Sequence, residues 1–253
     1  MQSSNPVLTH LDDTARTERQ VLGQAPVSRA MTVDDVVVRT VALVALTAAV
    51  AAAAWFTIDG GPALRFGIIG GSIGGLVLAL VISFRRITNP AVISLYAVLQ
   101  GVLLGVASRG FEELYPGIVI QAVVGTLGVF FGMALLYRAR IIRATPRFTR
   151  FVIGALIGVV VLGFANLIVF WVSGRQGLEV YTQSGQVGWV PYVFAVVCIG
   201  VGALTFILDF AAVEQGVRYG LPRRYAWYCA FGMLVGLIFL YWQILRLLSY
   251  LRR

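Results

Sequence analysis

Residues 191–214 read PYVFAVVCIGVGALTFILDFAAVE, and apart from the closing Glu214 they carry one charged side chain, Asp209. A run of this length crosses the roughly 30 Å hydrocarbon layer of a bilayer as a helix. It lacks the alternation of polar and apolar residues that a membrane barrel strand requires, so a helix is the expected spanning element. Working outward, similar runs lie at 36–57, 64–84, 91–110, 116–137, 148–172 and 225–248. The chain therefore reads as all-α: a polytopic membrane bundle of about seven transmembrane helices, with the lipid bilayer as its surroundings.

Composition points the same way. Of 253 residues, 59% are hydrophobic and only 12% charged, with a mean hydropathy of +0.87, whereas a soluble domain carries about 25% charged residues. A soluble enzyme is excluded. The net charge of +9 invites a nucleic-acid reading, but the charges are parcelled into gaps between apolar runs, so no nucleic-acid partner is expected. All the basic residues are arginine, which removes the lysine of a phosphate-binding Gly-rich loop; no other cofactor motif is present. Cys198 and Cys229 sit inside apolar runs without metal-ligand spacing and read as buried thiols. The single histidine, His10, reads as solvated. No metal can be assigned from the sequence.

Residues 1–35 hold Pro6, Pro26 and mixed charges such as Asp12, Arg16 and Glu18. They read as a polar, flexible cytoplasmic tail, followed by a membrane domain over 36–253. No short apolar run follows a basic start, so no signal peptide is expected.

Arginine counts orient the bundle. Arg85 and Arg86, then Arg138, Arg140, Arg143, Arg147 and Arg150, then Arg218, Arg223 and Arg224 follow the second, fourth and sixth runs; the opposite loops hold Arg65, Arg109 and Arg175. The positive-inside rule puts the amino terminus in the cytoplasm. Seven crossings then leave Arg252 and Arg253 outside. Either the earlier loops dominate, or the last segment is re-entrant.

Glycines recur every fourth residue: Gly67, Gly71 and Gly75; Gly101 and Gly105; Gly128 and Gly132; Gly154 and Gly158; Gly232 and Gly236. Such stripes let helix backbones approach closely and predict a compact bundle. The stretch Gly70-Gly71-Ser72-Ile73-Gly74 has the spacing of a nucleophile elbow, but with no strand-to-helix turn and no histidine to activate Ser72 it reads as helix packing.

Asp209 is the one acid well inside an apolar run, where an ionised carboxylate costs roughly 2.5–3.5 kcal/mol. Gly202, Thr205, Ala212, Val213 and Gly216 share its helix face, which points it into the bundle near the arginine-rich end. Burial favours its neutral form and a nearby arginine its charged form. Two readings stand: a proton-responsive gate or cation site, and a carboxyl that bonds a neighbouring helix or pairs with Arg246. Arg85 and Arg86 are further candidate counter-charges. Glu214 reads as a helix-end charge. Gln100, Gln243, Asn166 and Gln121 read as interhelical hydrogen-bonding groups.

Several stretches, in order, resemble the Bax inhibitor and YccA-like membrane family, its bacterial branch in particular. They are Ser4–Leu8, Met31–Val37, Leu95-Tyr96-Ala97 through Gly101 and Gly105, Tyr115–Val119, Leu208-Asp209-Phe210 with Glu214-Gln215-Gly216, Ala226-Trp227 with Ala230-Phe231-Gly232, and Ile244–Arg252. The resemblance implies a bacterial plasma membrane, seven helices with the last one central and wrapped by the other six, and, for some members, a pH-sensitive calcium leak controlled by aspartates on the sixth and seventh helices. Asp209 matches the first aspartate. The second falls at Gly236, and the acids of the family pattern are also replaced at Gln100, Gln243 and Ala211. One carboxylate with two amides is a poor site for a hard cation.

Two functions follow as expectations: an ion leak, of calcium or protons, gated by Asp209, and a non-transporting regulator that binds another membrane protein such as a membrane-anchored protease. An aspartyl intramembrane protease needs a second acid, so no enzyme is expected.

Overall fold

Thr32 starts the first helix. Its side chain accepts the Asp35 N–H at 3.2 Å while the Asp35 carboxylate accepts the Thr32 N–H at 3.3 Å, a reciprocal cap that satisfies otherwise orphaned donors. The structure is a computed structural model that describes residues 30–58, 67–173 and 189–252. The tail over residues 1–29, with His10, lies outside the described residues, as do Arg65, Arg175 and Arg253. Residues 30–35, assigned above to the tail, join the folded bundle: the Met31 N–H donates to the Leu221 carbonyl at 2.8 Å, Ala30 bridges Pro222, and residues 33–35 form the first turn of the first helix.

Among the described residues seven helices are long and apolar enough to cross a membrane: α1 Val33–Thr57, α2 Gly67–Arg85, α3 Pro90–Leu114, α4 Ile118–Arg138, α5 Pro146–Ser173, α6 Trp189–Arg218 and α7 Tyr225–Leu251. Each matches a run read from the sequence, although α4 starts at Ile118 rather than 116 and residues 64–66 of the second run lie outside the described residues; several extend where polar residues continue the helix, as where Arg218 pairs with Glu214 at 2.6 Å on the last turn of α6. The outer surface is apolar, with Val38, Phe56, Phe84, Phe131, Phe151 and Phe164 all exposed. Patches of that kind are not left facing water. The protein is an integral, multi-pass membrane protein.

Helix α7 holds the bundle together through two apolar faces. Phe231, Leu234 and Ile238 pack with Leu43 of α1 and Ile93, Tyr96 and Ala97 of α3. Leu237, Leu240, Ile244 and Leu245 pack with Ile118 and Ala122 of α4 and Phe206 and Ile207 of α6. Its backbone lies close to α1, α3, α4 and α6, whereas α2 leans on α3 and α5 on α6. The last helix is thus central, but four helices rather than six touch it at backbone distance. It is also uninterrupted, which removes the re-entrant alternative. Arg252, at its end, donates to the Pro116 carbonyl at 2.5 Å.

The glycine stripes divide. A Cβ on Gly101 would lie 2.8 Å from the Thr47 carbonyl oxygen, one on Gly71 2.7 Å from the Leu103 Cβ, and Gly105 sits directly on the Ala51 backbone. These glycines make the α1–α3 and α2–α3 contacts. Gly128, Gly132, Gly154 and Gly158 meet nothing, so the stripes on α4 and α5 pack no helix among the described residues. Ser72 lies in a π-helical turn, Gly70–Gly74, inside α2 and faces outward.

Three helices that end at the arginine-rich side close in the same way. After α6, Leu221 N–H reaches the Gly216 carbonyl and Gly220 N–H the Val217 carbonyl, with Gly220 at φ 64°. After α4, Ile141 reaches Leu136 and Arg140 reaches Tyr137, with Arg140 at φ 58°; after α2, Ile87 reaches Ile82 with Arg86 at φ 48°. This left-handed cap favours glycine, and an L-residue there costs roughly 1 kcal/mol.

Candidate functional site

Asp209 lies on α6 beside a cavity of about 300 Å³ bordered by Ala79, Leu80 and Ser83 of α2 and by Tyr228, Phe231, Gly232 and Val235 of α7. The backbones of α2 and α6 do not meet; the cavity is the gap between them over α7. The Tyr228 hydroxyl donates to the Ser83 carbonyl at 3.4 Å across one side of it. Among the described residues no hydrogen bond or ion pair engages the Asp209 carboxylate. Cys229 is near enough to feel its charge, and a methyl on Gly232 would stand 3.9 Å from its Oδ1.

This register corrects two expectations. The residue facing Asp209 from α7 is Gly232, while a Cβ on Gly236 would collide with the Phe206 ring at 2.9 Å. Counting from the chain end placed the partner one turn too far, because the antiparallel crossing of α6 and α7 sets which residues meet. Pairing with Arg246 is excluded as well. Fourteen residues of α7 separate Gly232 from Arg246, a rise of roughly 21 Å, and Arg246 lies within electrostatic reach of Cys198 instead.

The other polar candidates do not gather around Asp209. Gln100 packs its amide into the notch left by Gly75 of α2. Gln243 is buried on α7 with its Oε1 unbonded, about 16 Å along the helix from Gly232. Arg85 and Arg86 are exposed beyond Ser83 and make no ion pair with Asp209. Gln121 faces outward, so it bonds no neighbouring helix through its side chain, while Asn166 is buried on α5. No group of three or more histidine, cysteine, aspartate or glutamate side chains that could hold a metal occurs among the described residues. Cys198 is buried, Cys229 is partly buried, and both are free thiols.

Glu214 is more than a helix-end charge. It accepts from the Tyr137 hydroxyl of α4 at 2.5 Å and from Arg218 at 2.6 Å, on the edge of a pocket of about 470 Å³ between the ends of α4 and α6. Five residues turn a helix by about 140° from its starting face, so Asp209 looks toward α2 and α7 while Glu214 looks toward α4.

Three features escaped the sequence reading. Asp35 takes Arg223 at 2.8 Å and Arg39 at 3.4 Å, tying α1 to the turn before α7. Arg109 donates to the Trp55 and Ile58 carbonyls at 3.0 and 3.1 Å, closing the carboxyl end of α1. An apolar groove of about 510 Å³ opens between α1 and α4, with Leu234, Leu237 and Tyr241 of α7 on its wall and the Tyr241 hydroxyl 2.6 Å from Ser108. The legible trace of the groove was the run of small residues Ala48, Ala51 and Ala52 on α1. Asp35 and Arg223 are 188 residues apart and carried no local signal.

No individually curated protein matches the sequence. The family model described as Bax inhibitor 1 like matches residues 5–253, essentially the entire chain. With seven apolar helices, the last of them central, and an acid inside the sixth, the chain belongs to the Bax inhibitor 1 like family.

Proposed function

We propose that the protein is a proton-responsive membrane leak in which Asp209 is the titrating group and calcium or protons are the ions carried. The observation that carries this reading is the position of Asp209, bordering a membrane-level cavity without a hydrogen-bond or ion-pair partner among the described residues. The neutral and charged forms of such a carboxyl differ greatly in their need for water, so its protonation biases the spacing of α2 and α6 over α7. The groups that face it are Ser83 from α2 and Tyr228 and Cys229 from α7. Other charges on neighbouring helices are engaged elsewhere: Asp35 with Arg39 and Arg223, and Glu214 with Tyr137 and Arg218. Arg85 and Arg86 are the counter-charges that a shift of α2 brings closer.

In this reading the residues from about 30 onward act as one membrane domain behind a polar cytoplasmic tail. The arginine excess supports a cytoplasmic amino terminus, and the likeness to bacterial members supports a bacterial plasma membrane. No enzymatic step is assigned.

The second reading, a non-transporting regulator of another membrane protein such as a membrane-anchored protease, is favoured by Gly232. With glycine opposite Asp209, only one carboxylate faces the cavity, too few oxygen ligands for calcium. Calcium flux into proteoliposomes between about pH 5 and pH 8 separates the two. The leak predicts a pH-dependent flux that becomes independent of pH in Asp209→Asn, held at the level the wild type reaches in acid. Correctly inserted protein with no flux at any pH removes the leak and leaves the regulator.

A further inference from the structure

We propose that the pocket between the carboxyl-terminal ends of α4 and α6 binds a phosphate-bearing anion. Arg138, Arg140, Arg143 and Arg218 line it, with Tyr137, Gln215 and a single acid, Glu214. Glu214 is taken by Arg218 and by the Tyr137 hydroxyl. Arg140 feels the charge of Glu214 without pairing with it, and Arg138, Arg140 and Arg143 have no ion-paired carboxylate among the described residues. Three guanidinium groups thus share one concavity with the nearby acid already satisfied, the donor arrangement that recognises phosphate oxygens.

The backbone turn after α4 carries Arg140 to the rim of this pocket. Arg140 occupies the left-handed cap position at φ 58°, where the equivalent turn after α6 uses Gly220. Glycine would relieve the strain, as it would at Arg86 after α2, so the turn holds Arg140 at the pocket rim without by itself marking a site. The ends of α4 and α6 are already complemented by Arg138 and Arg218.

The pocket lies at the end of spanning helices, beside the exposed Leu135 and Ile141. A phospholipid headgroup, its chains descending along α4, and a free phosphate in the aqueous phase share the recognising chemistry. Basic pockets at helix ends hold headgroups in this way.

The test is thermal unfolding of the purified full chain in neutral detergent. One arm titrates short-chain phosphatidylglycerol against diacylglycerol of the same chains. The other titrates sodium phosphate against sodium chloride at equal ionic strength. A phosphate site gives a saturable rise in the unfolding temperature that weakens about tenfold in apparent affinity in Arg138→Gln/Arg143→Gln and in Arg140→Gly. Arg140→Gly is the decisive variant, because without ligand it unfolds at a higher temperature than the wild type while binding more weakly. Saturation by the lipid alone assigns the headgroup as source, and saturation by inorganic phosphate assigns a soluble anion; both support the site. No saturable shift in either arm, or equal affinities in the wild type and both variants, overturns it.

Discussion

Asp209 and Glu214 stand five residues apart on α6 and have opposite surroundings. Glu214 has a phenol and a guanidinium within hydrogen-bond distance and further arginines along its pocket. Asp209 has a cavity, a glycine, a thiol and two aromatic rings. The same side-chain chemistry is therefore fixed in one place and uncommitted in the other. A carboxylate held by charge-assisted hydrogen bonds has little reason to change state, whereas one without partners in an apolar wall responds to any change in water or charge nearby. The turn of the helix, and not the composition of the run, creates the difference.

The strongest way to break this comparison is to give Asp209 a second acid at each candidate position. Gly236→Asp drives its Cβ into the Phe206 ring and buries a charge without a partner, so it should cost about 3 kcal/mol or more, measured as chemical or thermal unfolding in detergent. Gly232→Asp has room, should fold, and should acquire calcium-dependent stabilisation absent from the wild type. If the two variants behave alike, the register between α6 and α7 is wrong.

Next in size is Asp209→Asn. Replacing an unpartnered acid with an amide should leave the protein at least as stable, with a gain of up to about 2 kcal/mol at neutral pH that vanishes in acid, where the wild-type group is neutral too. A loss of stability at neutral pH would mean that the carboxylate is held by a partner. Arg140→Gly should raise stability by about 1 kcal/mol through its left-handed cap, a gain visible in unfolding midpoints without any phosphate present. Smallest is Glu214→Gln, at roughly 0.5 kcal/mol, because the Arg218 pair is exposed and screened. Its effect should shrink further in high salt, unlike that of Asp209→Asn.

The seven helices were legible because each is an uninterrupted apolar run, and the bilayer permits few other solutions. The glycines of α2, α3 and α7 were legible as a contact pattern, but those of α4 and α5 had the same spacing and meet nothing. Spacing identifies a smooth helix face; it does not say whether another helix occupies it. Gln100 and Gln243 were legible as polar groups within the membrane, and the sequence could not tell that neither lies beside Asp209.

By itself the sequence determined the number of spans, the single acid inside them, the arginine-rich end and the family. Those follow from the cost of moving each residue type into hydrocarbon, which is a property of the residue and its immediate run. Only the tertiary structure decided that Gly232 faces Asp209, that Arg246 lies about 21 Å away along α7, and that Asp35 reaches Arg223. Those depend on the depth and rotation at which one helix crosses another, which are set by the packing of whole faces and have no counterpart in the spacing of residues along one chain segment.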